Sequence, residues 1–170
     1  TGEIARRRVH EDRLRYTAIM TGVGTVLSDD PLLTCRLGNS CPDNEFSECN
    51  RNPVRIICDT HLRTPLDAQV VRTATQVRTI IATGCTSTKR QLSYIKAGCE
   101  ILQVPLSAQN PGAKADITNR LDLNRLMEQL GAMDIDSILL EGGGTLNWSA
   151  VSSGIVQKVQ AYIAPKLLGG

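Results

Sequence analysis

Apolar residues recur along this chain in two rhythms. The first is the short continuous run: Ala18-Ile-Met20, Val54-Arg-Ile-Ile-Cys58, residues 77–82, residues 101–104 and Ile138-Leu-Leu140. Runs of this length, bounded by Gly, Pro, Asn and Asp, predict strands buried on both faces. The second rhythm steps by three and four. Leu121, Leu123, Leu126, Met127 and Leu130 show it most clearly, and it returns more faintly at 3–16, 88–97 and 145–152. These stretches predict helices. In the first of them Ile4, Val9 and Leu14 make a thin apolar stripe, and arginines at 6, 7, 8, 13 and 15 cover the rest as a solvated face would. Residues 25–28 predict one helical turn after Gly22 and Gly24, closed at Asp29-Asp30-Pro31 because the residue before a proline is pushed out of the α region. A last strand is predicted at 159–164. Residues 37–53 and 105–119 are polar and turn-rich, as surface loops are.

Strands therefore alternate with helices. That order predicts an α/β fold, with a mostly parallel central sheet and helices on both faces. In such sheets ligands bind beyond the carboxyl ends of the strands. Residues 22–29, Asp59-Thr60 and 141–145 all follow strands, so one edge can collect them.

The last of these groups carries the clearest chemistry. Leu140 is followed by Glu141, and Gly142-Gly-Gly144 then leads into a helix. A strand, a glycine turn and a helix aim bare backbone N–H groups and the positive end of a helix dipole at one spot, which suits a phosphate. Glu141 beside it is an acid able to hold a polyol or guide a proton, and Thr145 and Asn147 add donors. The turn matches neither G-x-G-x-x-G nor a P-loop, so a plain structural turn is the competing reading. His10 and His61 lack flanking partners and read as structural. No zinc-deaminase signature is present. Glycine amides, hydroxyls, arginines and a carboxylate, without nucleophile or metal, suit cofactor-borne chemistry such as hydride transfer.

Composition narrows the picture. The 170 residues are 41% hydrophobic and 21% charged, an ordinary soluble domain. A net charge of +2 with 3% aromatics argues against a nucleic-acid partner. There is no apolar run of membrane length and no leader pattern, so no membrane partner and a cytoplasmic location are expected. The six cysteines, at 35, 41, 49, 58, 85 and 99, form no CxxC pair; reduced thiols are expected, and no metal. A chain that opens on Thr1 and stops at Lys166-Leu-Leu-Gly-Gly170 reads as a piece of something longer.

Five blocks, in order, also resemble one family. They are Gly22-Val-Gly-Thr-Val-Leu-Ser-Asp-Asp-Pro-Leu-Leu-Thr-Cys-Arg36, Asn52-Pro-Val-Arg-Ile-Ile-Cys-Asp59, Leu62-Arg-Thr-Pro-Leu66, Leu140-Glu-Gly-Gly-Gly-Thr-Leu146 and Tyr162-Ile-Ala-Pro-Lys-Leu-Leu-Gly169. They are similar to the reductase domain of the bacterial riboflavin-biosynthesis deaminase/reductase. The resemblance implies a dihydrofolate-reductase-like fold and one reductase domain over 1–170. It also implies truncation at both ends, since the family's domain starts a strand earlier and continues with further sheet, and the deaminase domain of the parent chain is absent. The implied reaction is NADPH-dependent reduction of 5-amino-6-(5-phosphoribosylamino)uracil to its ribityl form, in a homo-oligomer such as a homodimer. Cofactor contacts carry over to Thr25, Asp29, Thr60 and the stretch Gly143, Gly144, Thr145, Leu146, Asn147, Trp148 and Ser149. Substrate contacts carry over to Arg13, Leu33, Arg36 and Glu141, with Glu141 nearest the reacting polyol as the catalytic group. Arg36 suits a ribose phosphate, with an ion pair to Asp29 or Asp30 as its other reading. Thr60 and Lys89 are placed to meet a 2′-phosphate. Two alternatives stand beside this: a related reductase acting on another pyrimidine or pteridine, and an NADP-binding or oligomer-forming module without turnover.

Overall fold

The computed structural model describes residues 3–35, 52–107 and 120–162. Among these, five strands form one sheet in the order β4-β3-β2-β1-β5: β1 (Ala18–Gly22), β2 (Val54–Cys58), β3 (Thr79–Thr83), β4 (Glu100–Gln103) and β5 (Ile138–Leu140). Every pairing is parallel. The side-chain alternation of the strands sorts the core into two layers. Met20, Ile56 and Ile80 face one side, where α5 (Leu123–Gly131) and α6 (Gly144–Ser152) supply Leu126, Leu130, Leu146 and Ala150. Ile19, Ile57 and Ile81 face the other, against Val26 of α2 (Val23–Asp29), Val70 and Val71 of α3 (Gln69–Arg72) and Tyr94 of α4 (Thr88–Lys96). The remaining helix, α1 (Glu3–Arg15), precedes the sheet. Two-sided burial is why the central strands read as unbroken apolar runs.

The chain runs outward from β1 through β2 and β3 to β4, and only then returns to lay β5 on the free side of β1. Strand order therefore reverses between β1 and β5. Such a reversal splays the connections apart and opens a crevice at the carboxyl ends. Glu141 N–H donates to the Met20 carbonyl at 2.9 Å, so the residue after β5 is tied into that edge. Helix α5 is held by an acid cap, Asp122 accepting from the amides of Asn124 and Arg125.

Three expectations need correction. Residues 23–29 form a full helix rather than one turn. Helix α3 was not signalled, because its four residues are too few to show a period. The strand expected at 159–164 is absent over 159–162, and 163–164 lie outside the described residues. Val159 is 75% exposed there, and Gln160 and Tyr162 are tied instead to the buried Asp12 carboxylate, at 2.9 and 3.3 Å.

Arg55, the second residue of β2, is wholly buried. Its guanidinium donates to the Leu32, Val70 and Val77 carbonyls and to the hydroxyls of Thr73 and Thr79, at 2.6–3.1 Å. Burial pulls it down to about 10, which leaves it charged at neutral pH. Its acceptors are neutral, and they come from the segment after α2, from α3 and from the start of β3. Arg55→Leu would strand those acceptors in the core, so urea unfolding should show a loss of about 3 kcal/mol or more.

Candidate active site

Glu141 sits at the carboxyl end of β5 beside β1, where the strand order reverses. Arg13, in the last turn of α1, donates Nε to Glu141 Oε1 at 2.8 Å and Nη2 to Oε2 at 2.6 Å. The remaining Nη1 donates to the Thr34 carbonyl at 2.8 Å. The two side chains are 13% and 23% exposed, so the pair is screened but reachable from solvent. A two-pronged guanidinium–carboxylate contact fixes orientation as well as distance. Sequence reasoning gave both residues to substrate; the structure brings them together in one pair. Arg7, Arg8 and Arg15 are instead about half exposed and reach Glu11 or Asp12 of their own helix.

Beyond Glu141 the backbone turns through Gly142 (φ +91) and Gly143 (φ +43), conformations that side chains disfavour. A Cβ on Gly142 would sit 2.8 Å from Thr25 Oγ1 and 3.1 Å from Thr21 Oγ1. The turn thus lies directly on two hydroxyls. Gly143 is the N-cap of α6 and brings no side chain to cap it. The first amides of the helix have no side-chain cap, and an N-terminus of this kind suits an anion.

The structure refines the predicted cofactor stretch. Asn147 N–H already donates to the Gly143 carbonyl at 3.1 Å, so the amides left open by helix geometry belong to Gly144, Thr145 and Leu146. Leu146 is buried, its Cβ side facing Gly22, and fastens α6 to the sheet. Ser149 Oγ accepts from Arg120 at 3.0 Å and donates to the Thr145 carbonyl at 2.9 Å, one turn along the helix. Trp148 is 63% exposed. Thr60 follows β2 and accepts through its carbonyl from Gly84 N–H and Thr83 Oγ1. Asp29 is exposed in the last turn of α2, one turn beyond Thr25. Leu33 has a left-handed backbone (φ +51) and a side chain buried in the core, so its side chain is not available to a ligand. Arg36 lies outside the described residues, as do Cys41 and Cys49.

Two site-edge residues take on more than sequence reasoning assigns them: it places Asp59 at the strand-end edge without a role and gives Thr21 none. Asp59 is fully buried after β2, and its Oδ2 accepts from Thr64 N–H and Oγ1 at 2.7 and 2.8 Å. Its Oδ1 has no partner among the described residues. This carboxylate shapes the turn that carries Thr60, and Arg90 and Tyr94 of α4 hold the same turn through the carbonyls of His61, Leu62 and Thr64. The spacing Asp59…Thr64 was the available signal. Thr21 is the other, and in the sequence it looks like any strand threonine.

The family model described as the RibD C-terminal domain matches residues 1–170. Riboflavin biosynthesis protein RibD of Actinobacillus pleuropneumoniae is 46% identical over 170 residues, covering this whole chain and 40% of its own length. The chain thus spans well under half of that relative. A 2,5-diamino-6-ribosylamino-4(3H)-pyrimidinone 5′-phosphate reductase of Methanothermobacter thermautotrophicus is 34% identical over the whole chain, which covers 69% of that protein. Among solved structures, Acinetobacter baumannii RibD matches the fold with a TM-score of 0.70, at 24% identity over 100% of this chain and 41% of its own. The Saccharomyces riboflavin biosynthesis reductase Rib7 matches with a TM-score of 0.63, at 25% identity over 91% of this chain and 61% of its own. The fold is that of the dihydrofolate-reductase-like reductases.

The glycine turn makes a direct test of this geometry. Gly142→Ala forces a Cβ against Thr25 Oγ1 in a left-handed backbone, and should cost about 1–3 kcal/mol in thermal unfolding. Gly24→Ala, which meets nothing within 4 Å, is the control and should leave stability close to that of the wild type.

Proposed function

The chain belongs to the RibD C-terminal domain family, and from that premise we propose that it reduces 5-amino-6-(5-phosphoribosylamino)uracil to 5-amino-6-(5-phosphoribitylamino)uracil with NADPH. The observation that carries the reading is the carboxylate of Glu141, clamped by Arg13 and set one residue from a glycine turn at the sheet's switch point. The residues present fit a dinucleotide: an uncapped helix N-terminus, left-handed glycines, and a surface that a single Cβ would obstruct.

In this reading the amides of Gly144, Thr145 and Leu146 hold the cofactor phosphates. Thr25, Asp29 and Thr60 line the path of the remainder, and Thr60 with Lys89 favours a 2′-phosphate and hence NADPH over NADH. When bound, the nicotinamide supplies hydride to the aldehyde-level carbon of the opened ribose. The protein does the positioning. Both Glu141 oxygens are engaged by Arg13, but each keeps a second lone pair, so the carboxylate can still accept from the polyol hydroxyls. From that position it orients the chain and relays the proton that accompanies hydride. Arg13 fixes the carboxylate's plane, Leu33 contributes backbone, and Arg36 takes the substrate's phosphate. Assembly as a homo-oligomer and a deaminase domain in the parent chain belong to the same reading; a Thermotoga maritima relative is described as a deaminase/reductase.

The reading is tested by calorimetric titration with NADPH and, separately, NADH. Micromolar binding that prefers NADPH is expected, and the absence of binding to either would overturn it. Glu141→Gln should lower kcat about a hundredfold or more while leaving NADPH affinity within about twofold. Unchanged turnover in that variant would remove Glu141 from the chemistry. Arg13→Gln should follow Glu141→Gln in kcat and add a rise in KM for the substrate.

A further inference from the structure

Thr21 is the penultimate residue of β1; its side chain is fully buried and its Oγ1 has no hydrogen-bond partner among the described residues. Such a hydroxyl gives up its hydration and receives nothing in exchange, and valine would fill the same space without that loss. Its position is informative. The oxygen lies 3.1 Å from the point where a Cβ on Gly142 would be, and Thr25 Oγ1 lies 2.8 Å from the same point. Thr25 is half-exposed on α2 and can meet a ligand directly. Thr21 is sealed beneath the turn, so whatever it does, it does through the turn.

The turn has freedom to use it. Glu141 N–H is committed to the Met20 carbonyl, and Asn147 N–H to the Gly143 carbonyl. Between those anchors lie the Glu141–Gly142 and Gly142–Gly143 peptide groups, next to two left-handed residues without side chains. They can rotate without breaking the sheet or the helix.

Building on the cofactor reading given above, we propose that Thr21 is a positioning residue for the glycine turn. Its hydroxyl takes a backbone group of Gly142 or Gly143 as partner when the turn closes on the cofactor phosphates. The free protein tolerates an unsatisfied donor, and cofactor binding satisfies it, so part of the affinity for the dinucleotide is held in a residue that never touches it.

Two variants test this, Thr21→Val and Thr21→Ser, each melted without ligand and titrated with NADPH by calorimetry and by the fluorescence of Trp148, the chain's single tryptophan. Thr21→Val should melt no lower than the wild type in the absence of ligand. Its Kd for NADPH should rise by about fivefold to tenfold, the net worth of one intramolecular hydrogen bond. Thr21→Ser, which keeps the hydroxyl and loses the methyl, should stay within about twofold of the wild-type Kd. A purely structural Thr21 gives the opposite result: a lower melting temperature, or failure to fold, in Thr21→Val with unchanged affinity in what does fold. Equal weakening in both variants would assign the effect to packing and overturn the proposal as well. If the wild type binds no nicotinamide cofactor, the cofactor reading fails and takes this inference with it. If the wild type binds and Thr21→Val binds equally well, only the role of Thr21 fails.

Discussion

The candidate site depends on a buried positive charge that has no ion-pair partner among the described residues. Arg55 is the second residue of β2 and spreads its guanidinium over carbonyls and hydroxyls from three separate segments. One of those acceptors is the Leu32 carbonyl, in the stretch that follows α2. Two residues on, the Thr34 carbonyl accepts from Arg13, and Arg13 holds Glu141 with its other two donors. Two arginines therefore grip the same short segment, one from inside the core and one from the crevice. A charge buried this completely is stable only when its donors are met, so the surrounding segments are held to one arrangement. That arrangement places the carboxylate.

Much of the frame was legible in the sequence. Ile56-Ile57, Ile80-Ile81 and Ile138-Leu-Leu140 are continuous because both sheet faces are covered, and the helices of 88–96 and 123–131 show their period because one side of each is buried. The failures have physical causes. Helix α3 is too short to display a repeat, and Val159 heads a segment held by side-chain bonds to Asp12 rather than by a ladder. The arginine inside β2 reads only as part of its run, although a lone arginine in a buried strand has to be bonded by something.

The site was legible in kind more than in arrangement. Glu141 and the glycines stand out as a carboxylate and a flexible turn after an apolar run, although a plain structural turn is the competing reading. That Arg13 reaches Glu141 rather than facing solvent with its neighbours follows from how α1 lies against the β5 end, which no local pattern records. The value of Leu146 to the helix's seating and of Asp59 to the Thr60 turn likewise appears only once separate segments meet.

The order of strands in the sheet also bears on how the protein assembles. Ala18 pairs with Ile138, and Arg13 bonds Glu141 across 128 positions of chain. Contacts this distant in sequence form late and slowly, since most of the polypeptide must be made and folded before they can close. β5 is also the shortest strand and lies at the sheet's edge, with β1 as its only paired strand among those described. Fraying there would release Glu141 and the glycine turn together while the other four strands stayed intact. A nascent or partly opened chain would then keep the core layer behind α2, α3 and α4 while losing Glu141 and the glycine turn, which ties that part of the candidate site to completion of the fold rather than to its bulk stability.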